Sequence, residues 1–538
     1  MLTDKNFIIL ELNPKLYLML KKSWPFLLLA VLSFTVHFAF LSYPAQVVFD
    51  EVHFGKFVAG YFTHQYFFDI HPPLGKMLIA GFAKIANVNP IFAFEKIGEN
   101  IPGSTLFWLR FLPAFFGSLF VLFFSWLAYL TSRSKKIALI AGFLILMDNA
   151  FLVQSKFILV DIFLVSFEVL TFCFFFLWQR QKSFSAKWFS YLALTALFFG
   201  LTISIKWTGL ATIGILGVIL FVKIFSKKLS LYLSAPAPSH PEHIRLAQYK
   251  LREGSIIDSS RLTFDPLRHS FSEASESKRA ASATTLGLRM TKWRSFKESL
   301  IGLTVIFLIG FIVYLASFYL HFKLLFNSGP GDAFMSRDFQ TELKYGRENT
   351  DQPLSFGEKF IELNKTMYTA NASVTSEHPF GSRWYNWPIG QKLVYYWNQN
   401  QTEVLPLGWK AKIFISGNLF LWWLALFCLA FVALASFFKK GRQQCSPILY
   451  ILILGYLTNL LPFVLVNRVA FLYHYLPSVV FAILLTSFFL GHLLPKYKKI
   501  FVIIILVIFL SFIVIAPFSY GWPMPAKLDE LESKLILF

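Results

Sequence analysis

The chain has 538 residues, 56% of them hydrophobic, 19% aromatic and only 15% charged. A soluble domain carries about 25% charged residues, so one water-solvated core is excluded for most of this chain, and lipid must solvate much of its surface. The formal net charge is +21. It does not point to nucleic acid, because the Lys and Arg fall in short clusters between apolar segments, which is the pattern of the positive-inside rule.

A spanning helix needs about 20 apolar residues. The first candidate is 24–43, preceded by Lys21 and Lys22 and followed by no small-residue cleavage site, so it reads as a span and not as a cleavable signal peptide. An aromatic segment, 44–104, follows. Further candidates lie at 105–130, 137–153, 162–178, 188–205 and 209–225. Segment 226–299 is rich in Ser, Ala, Arg and Lys with few aromatics, and reads as a largely disordered basic insertion. Its stretch Arg289–Lys297 carries Trp293 and suits anionic headgroups, with a solvated linker as the plain alternative. A span at 300–320, a segment at 321–411 and four spans at 412–437, 447–466, 470–494 and 500–517 complete the chain.

Orientation follows from the basic clusters. With the N-terminus in the cytoplasm, Lys21-Lys22, Arg133-Lys135-Lys136, Arg180-Lys182-Lys187, the 226–299 segment, Lys439-Lys440-Arg442 and Lys496-Lys498-Lys499 all fall on the cytoplasmic side. The odd number of spans, eleven, then puts the C-terminus and the loops 44–104 and 321–411 outside. The expected organisation is an N-terminal membrane region, 1–225, holding a catalytic first loop; the cytoplasmic insertion 226–299; and a C-terminal membrane region, 300–538. Cys173, Cys428 and Cys445 are too few and too scattered for a disulfide framework or metal cluster.

Chemistry concentrates on the external side. Asp50 and Glu51, in Phe49-Asp50-Glu51-Val52-His53, stand just beyond the first span. Two close carboxylates raise each other's proton affinity, and one of them, ionised near apolar walls, makes a general base. The plain alternative is a solvated pair ending a helix. Twenty residues on, Asp69-Ile70-His71-Pro72-Pro73-Leu74-Gly75-Lys76 is a turn whose prolines fix the backbone. It is followed by an amphipathic helix over 74–85. Asp50, Asp69, His53 and His71 are metal-ligand types in no metal-specific spacing, so no cofactor is expected. Three cations run against the positive-inside trend: Arg110 at the start of the second span, Lys206 between the fifth and sixth, and Arg468 between the ninth and tenth, the last followed by His474. Charges at the hydrocarbon boundary are costly. A lipid phosphate supplies the compensating charge, while for each cation singly the alternative is snorkelling to the interface. Asp148 and Asp161 are further acids in the same layer.

These residues together resemble the protein O-mannosyltransferase family. The resemblance rests on Phe49–Gly55 with Phe67–Lys76, Leu109-Arg110-Phe111, Met147-Asp148-Asn149 with Gln154-Ser155-Lys156, Leu159-Val160-Asp161 and Ser204–Gly209. It continues through His378-Pro379 with Ser382-Arg383-Trp384-Tyr385 and Trp387-Pro388, and ends with Arg468 to Pro477. It implies an all-α polytopic fold of the GT-C class with eleven transmembrane helices and a re-entrant or amphipathic first loop. It implies transfer of mannose from a polyprenyl (dolichyl) phosphate to Ser or Thr of acceptor proteins, with inversion, and a possible dimer. By motif, Asp50 is the catalytic base and Glu51 its supporting partner. Asp69, His71, Arg110, Asp148, Lys206, Arg383, Trp384, Arg468 and His474 are expected to bind substrate or donor. Neutralising Arg110 or Lys206 is expected to raise the donor KM.

Two departures stand out. Fungal and animal members carry a β-trefoil (MIR) domain after the seventh span, for which 321–411 is too short. That resembles bacterial members and a plasma membrane, although the runs Asp50–Gly55 and Phe471–Tyr475 look closer to eukaryotic ones in an endoplasmic reticulum. There, the sequons at Asn364, Asn371 and Asn400 would matter. The insertion 226–299 is the second departure. The rival readings are another GT-C enzyme with a different sugar or a lipid acceptor, and a transporter, which would show mid-span charges or inverted repeats.

Overall fold

The computed structural model describes residues 14–235, 273–346, 350, 353–373, 378–399, 408–438, 441, 445–528 and 530. Most of the basic insertion (236–272), the sequon at Asn400 and the cluster Lys439-Lys440-Arg442 lie outside the described residues.

The helices follow the apolar runs. α1 (Pro14–Phe38) leads into the first loop, which folds into two short helices, α2 (Glu51–Thr63) and α3 (Leu74–Ile85). α4 (Gly103–Ser132), α5 (Lys135–Leu146), α6 (Asn149–Lys156), α7 (Asp161–Gln179), α8 (Ala186–Ile205), α9 (Leu210–Phe225) and the short α10 (Lys227–Ser234) follow. α11 (Glu273–Leu324) carries the seventh span. Within the segment expected to lack order, Lys227–Ser234 and the beginning of α11 are therefore helical. α12 (Arg337–Tyr345), α13 (Phe356–Ser373) and three short strands, β1 (Val394–Asn398), β2 (Trp409–Lys410) and β3 (Lys412–Ile415), form the second external segment. α14 (Leu419–Phe437), α15 (Pro447–Leu460), α16 (Leu476–Lys496) and α17 (Lys498–Tyr520) complete the bundle, and β4 (Met524–Pro525) pairs with β2.

Among the described residues, nine helices are long and apolar enough to span a membrane, and α5 with α6 forms a tenth candidate bent by 62°. The shorter apolar helix Ser23–Phe38 occupies the place of the first expected span. The chain is a multi-pass membrane protein. The eighth span begins at Leu419, later than the expected 412, because Lys412–Ile415 pairs antiparallel with Val394–Asn398. The bend between α5 and α6 has a polar cause. The Asp148 carboxylate accepts the backbone N–H groups of Ala150 and Phe151, which caps α6 and stops α5 from continuing.

α7 is the axis of the bundle. In its apolar stretch 89% of residues are buried, against 22% in α17, which faces lipid. A residue at the N-terminal end of α7 is therefore surrounded by protein, and that is where Asp161 stands.

Candidate functional site

The first loop is fixed by a buried ion pair. Arg110, on α4, is fully buried and donates Nε to Glu51 Oε1 and Nη2 to Glu51 Oε2, each at 2.8 Å. Its remaining N–H groups go to the carbonyls of Leu41, Pro44 and Gln46. Glu51, also fully buried, accepts the backbone N–H groups of Val48 and Ile158 at 2.9 Å. A guanidinium has five donors and a carboxylate about four acceptor positions, and here they are consumed within the protein. Arg110 therefore has no donor left for a phosphate, contrary to the expectation that it binds the donor, and Glu51 has no free oxygen. The pair is a knot that ties the first loop to α4 and to the turn before α7.

That knot aims Asp50 elsewhere. Phe49 adopts φ +41°, a left-handed conformation that is costly for a bulky residue and is often found where a site needs it. It is held by stacking on Tyr396 at 4.4 Å and by its N–H to the Tyr396 carbonyl. Tyr396 comes from β1 and its hydroxyl accepts from Gln154 at 2.8 Å. Asp50 precedes α2 with no side-chain capping bond, and its carboxylate makes no hydrogen bond among the described residues. It is only partly exposed. Burial pushes its pKa from 3.8 up to about 7; Lys206 pulls it down, and Asp161 and Asp69 push it up. These are the charges Asp50 faces.

Lys206 and Asp161 form a pair of their own, Nζ to Oδ1 at 2.8 Å and to Oδ2 at 2.9 Å, and the ammonium lies 5.2 Å from the Tyr473 ring centre. α3 reaches them because Gly75 carries no side chain: a Cβ there would lie 2.7 Å from Val160 and 3.5 Å from Ile205. At the start of α3, buried Lys76 pairs with Asp69 and donates to the His71 carbonyl at 2.9 Å. Asp69 is thus committed to Lys76. The His71 ring makes no hydrogen bond among the described residues. Burial holds its pKa well below the ordinary value, helped by the positive charges of Lys206, Lys76, Arg468 and then His474. It is a neutral imidazole among cations.

Arg468 closes the site from the other half of the chain. It donates to the Asn371 side chain and contacts His474 at 3.2 Å, while Asn371 also donates to the Ile70 carbonyl of the first-loop turn. Arg468 lines an open cavity of about 440 Å³ together with His378, Arg383, Trp384 and Trp387. The cavity does not include Asp50. Arg383, exposed, and Trp384, partly buried, are therefore at the cavity and not beside Asp50.

Asp148 departs from expectation. It is fully buried, and besides capping α6 it accepts the Trp422 indole N–H at 2.6 Å, so its oxygens are engaged in helix capping and packing. His53 is exposed on α2. Among the described residues no group of three or more His, Cys, Asp or Glu is arranged to hold a metal ion. Asn364 accepts from the Tyr314 hydroxyl at 2.6 Å, so the amides of both described sequons are engaged within the fold. Sequence reasoning gave no role in the site to Lys76, Asn371 or Tyr396. Lys76 sits inside a motif already singled out; Asn371 and Tyr396 reach the first loop across about 300 residues, and nothing local marks them.

Comparison with known proteins bears on the whole chain. A family model described as dolichyl-phosphate-mannose-protein mannosyltransferase matches residues 27–243, and one for the C-terminal four TMM region of protein-O-mannosyltransferase matches 356–536. Dolichyl-phosphate-mannose–protein mannosyltransferase 4 of Saccharomyces cerevisiae is 30% identical over 342 residues, 62% of this chain and 36% of that protein. Protein O-mannosyltransferase 1 of Drosophila melanogaster is 29% identical over 326 residues, 60% of this chain and 30% of that protein. The matches thus span about a third of the length of these relatives. The S. cerevisiae protein O-mannosyltransferase Pmt1-Pmt2 complex bound to the sugar donor superposes with a TM-score of 0.76 at 18% identity, covering 95% of this chain and 92% of that one. The fold is therefore the all-α polytopic GT-C fold. Since models of the two ends of one family match the two ends of this chain in order, the chain belongs to the protein O-mannosyltransferase family.

Proposed function

We propose that this protein transfers mannose from a polyprenyl (dolichyl) phosphate to Ser or Thr hydroxyls of proteins, with inversion, on the extracytoplasmic or lumenal face, and that Asp50 is the base. The observation that carries the reading is Asp50 itself: a carboxylate with no hydrogen-bond partner among the described residues, raised to about 7, beside the Lys206–Asp161 pair. A hydroxyl is a poor nucleophile at neutral pH. As its oxygen bonds to the anomeric carbon, its proton passes to Asp50. The bond from that carbon to the phosphate oxygen breaks, and the phosphate leaves with the electron pair through an oxocarbenium-like state. Lys206 and Arg468 neutralise the charge that grows on the phosphate. Attack from the side opposite the leaving group inverts the centre. No metal is needed, because the phosphate leaves as a stable anion.

An apolar groove of about 300 Å³ is lined by Phe199, Ile203, Phe311 and Trp207, the residue that follows Lys206, and it suits the isoprenoid tail of such a donor. The relatives named for dolichyl-phosphate-mannose favour mannose over another sugar, and the paired complex favours a dimer.

Two measurements test the site directly. Lys206→Met and Arg468→Gln should each raise the donor KM roughly tenfold or more, since a lost charge-assisted contact costs about 1.5–3 kcal/mol, and leave the acceptor KM unchanged; a donor KM equal to that of the wild type removes these residues from the phosphate site. The acid limb of the kcat profile should rise with pH and level off above an apparent pKa near 7, because only the ionised Asp50 accepts a proton. A profile flat between pH 5 and 8 would exclude Asp50 as the titrating base.

A further inference from the structure

On the side of the bundle opposite the first loop, four spans end at one level. α7 stops at Gln179, α8 starts at Ala186, α9 stops at Phe225, and the apolar part of α11 starts at Lys292. Between these ends lies a cavity of about 220 Å³. Its lining is rich in donors: Lys223, Arg294, the Trp178 indole and the hydroxyls of Ser183, Ser230 and Ser295. The one carboxylate in the lining is Glu298, which accepts from Arg294 at 3.1 Å, from Lys223 at 3.4 Å and from Ser183. Two positive charges thus meet one negative charge. The Trp178 N–H and the Ser295 hydroxyl are buried with no partner among the described residues.

The surroundings add more charge of the same sign. Arg180 directly follows Gln179, the last residue of α7, and Arg133 directly follows Ser132, the last of α4. Arg133 Nη2 donates to the carbonyls of Tyr232 at 3.1 Å and Ala235 at 3.0 Å, and Arg180 Nη2 to that of Leu130. Arg133 Nε and Arg180 Nε and Nη1 are buried without an acceptor among the described residues. Neither guanidinium is within ion-pair distance of a described carboxylate. Burial and the neighbouring charge of Arg133 lower the pKa of Arg180. Lys223 also donates to Gln179 Oε1 at 2.8 Å, and carbonyls at helix C-terminal ends, which favour cations, take one nitrogen of each guanidinium; among the described residues the other buried N–H groups have no acceptor and the two guanidinium charges no carboxylate.

We propose that this cavity binds the phosphate of an anionic phospholipid headgroup from the cytoplasmic leaflet. A phosphate diester offers acceptor oxygens and one negative charge, the complement of the lining. Four span ends set the cavity at headgroup depth, and Trp293, beside Arg294 and exposed, is an indole of the kind that favours the interface. Juxtamembrane basic groups are attracted to anionic leaflets at this depth. The inference rests on the cytoplasmic placement of the basic clusters and is independent of the sugar-transfer reading.

The test uses the full chain, purified in detergent, delipidated and titrated with phosphatidylglycerol, phosphatidylcholine or inorganic phosphate, with bound lipid counted by native mass spectrometry and stability followed by thermal shift. Phosphatidylglycerol should bind at least about fivefold tighter than phosphatidylcholine, the effect of one basic group near the membrane surface. The Arg294 side chain is 61% exposed, so Arg294→Gln should fold normally and weaken phosphatidylglycerol about fivefold. Glu298→Gln should tighten it by removing the competing carboxylate. Equal affinity for the two lipids, or an Arg294→Gln variant that binds like the wild type, overturns the proposal. Inorganic phosphate stabilising the chain as well as the lipid does reassigns the cavity to a free anion and also overturns it.

Discussion

Asp50→Asn and Asp50→Ala chains should purify as folded protein and transfer no measurable mannose from polyprenyl-phosphate mannose to a Ser/Thr peptide. General-base catalysis contributes about 10²–10⁴-fold, so even a partial bypass by water leaves a loss of at least about 100-fold. The stability of the Asn variant has the opposite sign. The Asp50 pKa is raised in the fold, from 3.8 to about 7, so between those values the native state holds a proton that the unfolded state has released. Stability therefore falls as pH rises through that interval and is lowest above it. Replacing the carboxylate by a neutral amide removes the penalty. Above pH 7 Asp50→Asn should melt a few degrees higher than the wild type, which separates a lost base from a lost fold. Turnover within tenfold of the wild type, or a lower melting temperature together with lost activity, would sink the assignment of Asp50 as base.

Arg110→Met is expected to fail in a different way. Removing one partner of a buried hydrogen-bonded ion pair costs about 3–5 kcal/mol, and here it strands Glu51 and three backbone carbonyls as well. The variant should give little monodisperse protein and a clearly lowered Tm. The double variant Glu51→Leu with Arg110→Met should recover only part of this, because the N–H groups of Val48 and Ile158 lose their acceptor. A stable Arg110→Met protein with a raised donor KM would restore Arg110 to the phosphate site. The contrast with Lys206 is informative. Both are buried cations near the first loop, yet one has all its donors committed to a carboxylate and carbonyls, while the other pairs with Asp161 and acts on Asp50.

The sequence read the first loop well up to a point. The adjacent acids Asp50 and Glu51 were recognisable as one feature, and the turn at Asp69–Pro73 as another. Their division of labour was not legible. Consecutive residues at the start of a helix point in directions about 100° apart, so one carboxylate enters the protein and the other faces the site. Which does which is set by Arg110, 59 residues away. Asp148 carried the same ambiguity. An acid at the outer end of an apolar run suits a ligand or a cap equally, and only Trp422 and the α6 amides decide between them. Asn371 was noticed for its sequon, whereas in the fold its amide joins the first-loop turn to Arg468.

What the sequence determined by itself is the membrane architecture. Apolar length and the placement of Lys and Arg are one-dimensional quantities, and the bilayer reads them as such. The order of spans and the place of the basic insertion along the chain follow from them. Only the tertiary structure decided which charges face one another. In a low-dielectric interior each charge must find its partner, and those partners lie on other helices: Glu51 with Arg110, Asp161 with Lys206, Asp69 with Lys76. Asp50 stands beside these pairs without a hydrogen-bonding partner among the described residues, and that exception is why the proposal places the base there and not at Glu51, Asp69 or Asp161.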